Sequence, residues 1–166
     1  MDKYGQLSTS SYFSIVLTSF ILLFVYLSLS IIEIESTRST VLVGCAVVLF
    51  TVISFVGLCH YPLSVSVDNQ EVQINFILFH KKINLSDISG VRDFNDGKNI
   101  KPVLGSYGFF GWWGIYTHRD IGTFRLTASS LENLVVLKLK NGKTRVISCN
   151  NSTEMARQIE LRISYI

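Results

Sequence analysis

Histidine, cysteine and a cluster of aromatic residues are the side chains of this 166-residue sequence whose types could do chemistry. His118-Arg119-Asp120 spells the tripeptide of a protein-kinase catalytic loop. That loop works only with a downstream Asn, a glycine-rich phosphate loop and a metal-binding Asp-Phe-Gly, and none accompanies it. His60, His80 and His118 are scattered, with no Cys or carboxylate at ligand spacing, so no metal site is expected. Cys45, Cys59 and Cys149 form no C-x-x-C pair and read as buried thiols acting as small hydrophobes. An enzyme would need His118, Asp120 and Cys149 to converge in one pocket. No catalytic residue, cofactor or metal is therefore assigned, and the chain is read as a non-enzyme.

The segment from Gly105 to Tyr116 is the one with functional potential. Glycines recur at every third position (Gly105, Gly108, Gly111, Gly114), interleaved with Tyr107, Phe109, Phe110, Trp112, Trp113 and Tyr116. It lacks the Lys-Ser/Thr of a phosphate-binding P-loop. Large aromatics dominate protein-binding hot spots, and Trp and Tyr also favour membrane–water interfaces. Phe109, Phe110, Trp112, Trp113 and Tyr116 are thus the expected anchors of a partner or membrane contact. The alternative is that they pack on the rest of the domain, with glycine permitting sharp bends.

Composition limits which elements can position that segment. Charged residues make up only 16% of the chain and hydrophobic residues 48%, with a mean hydropathy of +0.37. Ordinary soluble domains carry roughly 25% charged residues. This excludes intrinsic disorder, and a net charge of only +3 argues against a nucleic-acid partner. Two uncharged apolar runs, residues 12–32 and 41–59, have the length expected of membrane-spanning helices. The expected organisation is a cytoplasmic tail (1–11), a transmembrane helical hairpin (12–61) and a folded domain (62–166). The segment after Cys59 holds 13 of the 15 Lys and Arg, which predicts a multi-pass protein of the bacterial inner membrane with both termini cytoplasmic.

After Pro62 the pattern turns to short strands: residues 63–67, 71–79, 83–85, 88–94, 122–128, 133–140 and 143–149. Asn141-Gly142 predicts a hairpin turn with both residues at positive φ. Residues 80–82 read as a polar turn, and 96–116 as a long irregular stretch. Asn151 with Glu154 three residues later makes an N-cap pattern, followed by Ala156, Ile159 and Ile163 at helical spacing. About seven strands and one amphipathic helix predict a bent antiparallel sheet with the helix closing its open end.

Residues 105–129, in which a glycine–aromatic segment precedes the strand GTFRLTAS, together with residues 133–159, where VIS precedes a polar helix start, resemble the membrane-anchored bacterial pleckstrin-homology (PH-like) family. The resemblance implies a two-helix hairpin plus an α+β PH-like domain, with no assigned reaction. The expected function is an interaction module at the membrane's cytoplasmic face, with the bilayer and a protein as partners. The alternatives are a sensor of anionic lipid or an accessory subunit of a membrane enzyme. Specific phosphoinositide-type recognition is disfavoured, because the loop Asp68-Asn69-Gln70-Glu71 carries two acids and no base.

Overall fold

A computed structural model describes residues 2–5, 19, 22, 25–26, 37–108 and 111–165. A helix, α1 (Thr37–Cys59), leads through His60 and Tyr61 into a strand-rich domain. β1 (Asp2–Gly5), β2 (Pro62–Val67), β3 (Glu71–Phe76) and β4 (His80–Asn84) form a four-stranded antiparallel sheet in chain order. The N-terminal segment read as a tail therefore contributes an edge strand, with Asp2 opposite Val67 and Gly5 opposite Ser64.

The second sheet holds β5 (Ile88–Phe94), β6 (Lys101–Gly108), β7 (Gly111–His118), β8 (Gly122–Ala128), β9 (Leu134–Leu139) and β10 (Thr144–Ser148). Their spatial order is β5-β9-β10-β8-β7-β6. Only the β8–β10 pair among the described strands is parallel. β5 and β6 sit at opposite edges, so residues 95–100 must cross one face of the sheet, where Ile100 is buried. The chain ends in α2 (Ser152–Ile163).

β9 separates two cores. Leu134, Val135, Val136 and Leu137 are all fully buried, and a strand's side chains alternate between its faces. Val135 and Leu137 join Val65, Ile74, Ile147 and, from α2, Met155 and Ile159. Leu134 and Val136 join Phe94, Ile100, Tyr116, Phe124 and Leu126. α2 starts as the sequence predicts: the Asn151 side chain accepts the Glu154 N–H at 3.1 Å. The Glu154 carboxylate turns forward, accepting from Arg157 and Gln158 at 2.8 Å, and these bonds, Arg157's first, lower its pKa to about 2.

Several sequence expectations need correction. The transmembrane hairpin fails, because no helix among the described residues is long and apolar enough to cross a membrane. Of the first expected span, 12–32, only Ser19, Leu22, Val25 and Tyr26 lie among the described residues. The second lies within α1. The multi-pass inner-membrane placement rested on the hairpin and falls with it. The residues after α1 belong to the domain: Tyr61 is buried, and the His60 ring stacks on Trp113 at 4.9 Å.

The stretch read as irregular is mostly the β6–β7 hairpin. Its glycines are paired across the two strands, Gly105 with Gly114 and Gly108 with Gly111, so the period of three is a mirror pattern about residues 109–110. Residues 80–82, read as a turn, lie in β4. In the Asn141-Gly142 turn only Gly142 has positive φ, at 78°. Gly142 N–H bonds Leu139 O, and Leu139 N–H bonds Lys143 O, at 2.9 Å each. This is the longer type I turn with a glycine bulge rather than a two-residue turn.

At Gly114 (φ 133°) an added Cβ would lie 2.2 Å from the Leu104 carbonyl oxygen. Gly114→Ala should destabilise the domain by at least about 2 kcal/mol in chemical denaturation, because the clash is with backbone and the conformation is one L-residues avoid. Gly90, whose Cβ position is open, is the control: Gly90→Ala should change stability by no more than about 0.5 kcal/mol.

Candidate interaction surface

The aromatic residues predicted as contact anchors divide between the two faces of the hairpin. Tyr116 is fully buried in the second core, where its hydroxyl donates to the Ser106 carbonyl, and burial raises its pKa to about 12. Trp112 is half-buried on that same face and packs against Tyr107 at 4.9 Å. Trp113 lies on the opposite face, stacked on His60. Phe109 and Phe110 lie outside the described residues.

The exposed apolar residues of the hairpin are on β6. As the last strand of its sheet, β6 has one backbone edge with no partner strand among the described residues. Val103 is 60% exposed, Leu104 70% and Tyr107 67%. Sequence reading passed over Val103 and Leu104 because no strand was assigned there. The mirror-paired glycines were the available signal, since they place residues 101–108 opposite 111–118.

The opposite phase of β7 and β8 opens a cleft of about 280 Å³ beside the first core. Leu104 stands opposite Ile115, and Trp113 opposite Thr127, all on this face. Phe76 and Lys81 of the other sheet and Arg125 of β8 complete the lining. Lys81 Nζ lies 5.2 Å from the centre of the Phe76 ring. Its pKa is lowered by burial first, and then by repulsion from Arg125 and Arg145.

The constellation that an enzyme would need does not assemble. His118 is buried against the Phe94 ring on the second-core side, whereas Cys149 is buried in the first core, beyond the sheet. The Asp120 N–H donates to His118 Nδ1 at 3.1 Å. Nε2–H must then donate to the Asp96 carboxylate, also at 3.1 Å. Asp96 lies in the crossing segment, so the imidazole fastens that segment to the end of β7. Hydrogen bonds from Asn99 first, and then from His118, lower the Asp96 pKa. Among the described residues no group of three or more His, Cys, Asp or Glu is placed to hold a metal.

Residues 63–163 match the family described as Bacterial PH domain, which covers more than half of the chain and all of β3 to α2. The chain belongs to that family, and its fold is that of a PH-like interaction module. No curated protein and no solved structure matches the chain.

Burial raises the Cys149 thiol pKa to about 11, the nearby Asp93 charge adding to the effect and a backbone hydrogen bond from Asn151 opposing it. The raised value favours the neutral thiol in the folded state, so at pH 8 Cys149 should be almost wholly protonated. Alkylation by iodoacetamide should be slow in the native protein and rise at least about 100-fold on unfolding, because the thiolate is the nucleophile. Peptide mapping of the labelled cysteines checks this. Rapid native alkylation of Cys149 at pH 8 would restore it as a candidate nucleophile.

Proposed function

We propose that this chain is a protein-interaction module whose partner covers the outer edge of the β6–β7 hairpin. One observation carries the reading: the terminal strand of the larger sheet exposes Val103, Leu104 and Tyr107 along a backbone edge that is unpaired among the described residues. Such an edge invites pairing with another chain unless something covers it. Lys101 and Pro102 blunt only its beginning. Trp112 and Trp113 stand behind it as rigid support, Trp112 against Tyr107 and Trp113 in the cleft beneath Leu104. In this reading the Gly–aromatic segment serves the contact mainly as scaffold, with β6 presenting the apolar surface. The β2–β3 loop weighs against an anionic headgroup at that end of the domain. Asp68 is exposed, and Glu71 is engaged by Lys82 at 2.7 Å.

A photo-reactive residue replacing Leu104 or Tyr107 should crosslink a discrete protein in the cells that make this chain. One replacing Glu160, exposed on α2, should not. Adding Val103→Asp should reduce the crosslinked product at least about 10-fold, a change of the size expected for losing a packed interface side chain. The thermal midpoint should stay unchanged, since Val103 is exposed. Equal crosslinking from positions 104 and 160 would overturn the reading.

A further inference from the structure

The first-core face of the larger sheet runs past the apolar core into a group of cations with no counter-charge among the described residues. Arg125 and Arg145 are register partners on the adjacent strands β8 and β10. Paired residues project to the same face, and like charges directly opposite one another oppose pairing. Lys81 reaches the same place from β4 of the other sheet, lining the cleft with Arg125. Neither this cleft nor the adjoining one that holds Arg125, Lys143 and Arg145 contains an Asp or Glu. Among the described residues none of Lys81, Arg125 and Arg145 is in an ion pair. The cleft is also lined by Trp113, whose buried indole N–H has no hydrogen-bond acceptor among the described residues.

Lys81, Arg125 and an unused donor line one small apolar-walled space, and Arg145 stands beside Arg125 in the adjoining cleft; together they form a receptor for an anion. The guanidinium forks suit an oxyanion such as a carboxylate. Leu104 and Gly105 line the same cleft, so it opens directly beside the edge assigned above to the partner. This continuity favours a side chain of that partner as the occupant.

We infer that the partner's bound segment is acidic, and that it places a carboxylate among Lys81, Arg125 and Arg145 while an apolar neighbour packs on Leu104. The inference rests on the reading of β6 as the partner-facing edge. It adds the chemical class of that partner: an acidic segment with interspersed apolar residues.

Fluorescein-labelled, C-terminally amidated peptides alternating Val with Glu, Gln or Lys, titrated into the full chain and read by anisotropy, test it. The Glu peptide should bind at least about 10-fold more tightly than the Gln peptide, the Lys peptide should not bind, and the preference should weaken with salt. Binding should also move the Trp113 indole N–H resonance. Arg125→Gln with Arg145→Gln should remove the Glu-over-Gln preference. If that pair fails to fold, Lys81→Gln alone should reduce the preference about 3-fold, as expected for one of several charges. Leu104→Asp should weaken the Glu and Gln peptides alike. Equal binding of Glu and Gln peptides, lost in Leu104→Asp, would overturn the acidic class and leave the β6 reading standing. A Glu preference insensitive to Leu104→Asp would instead place the anion site outside that edge. No binding by any peptide overturns the inference. So does arginine-dependent binding to phosphatidylglycerol vesicles without peptide binding, which would make the occupant a lipid.

Discussion

β9 is the strand on which the rest of this domain depends. Four consecutive apolar side chains, Leu134 to Leu137, are fully buried, two on each face of the sheet. Burying a Val or Leu side chain contributes about 1.5–3 kcal/mol, and here the contributions fall on both sides of one strand. One face must be covered by the four-stranded sheet and α2, and the other by the crossing segment and Phe94. Each layer is then fastened by polar contacts. Thr153 of α2 donates to Asp93 at 2.9 Å, and His118 holds Asp96. Beyond β7 the sheet outruns both cores, and that is why β6 presents an open edge among the described residues.

The surface chemistry follows from where the first core stops. Along β10, Ile147 and Cys149 face that core, and Arg145 is in phase with them two residues earlier. Along β8, Phe124, Leu126 and Ala128 face the second core, leaving Arg125 and Thr127 on the opposite side. The cations therefore lie on the first-core face just past the end of apolar packing, Lys81 and Arg145 half-buried and Arg125 exposed. A charge at such a position is costly to the fold, since burial and mutual repulsion both lower the basicity of Lys81, and burial with Arg125's charge does so for Arg145. Local conflicts of this kind are where function is usually found.

How much of this was legible in the sequence differs by element. Short apolar or alternating runs in residues 63–67, 122–128, 133–140 and 143–149, bounded by turn residues, gave those strands within a residue or two, and Asn151 with Glu154 gave the start of α2. β6 and β7 were hidden because glycine and aromatic residues replace the β-branched alternation that marks a strand. Their pairing is visible only in the mirror placement of the glycines. The apolar runs at 12–32 and 41–59 suggested membrane spans on composition and length alone. The cation cluster could not be seen at all. Lys81, Arg125 and Arg145 are far apart in the chain, and only the packing of β4 near β8 and β10 gathers them.

The central claim is that the free edge of β6 is the partner's seat. Amide hydrogen exchange tests it most directly, measured on the full chain alone and on the chain bound to the protein that crosslinks through position 104. The account predicts that amides of residues 103–108 exchange quickly in the free chain and become protected in the complex, while the already slow β9 amides do not change. Protection confined to α2 or to the four-stranded sheet, with β6 unaltered, would contradict it.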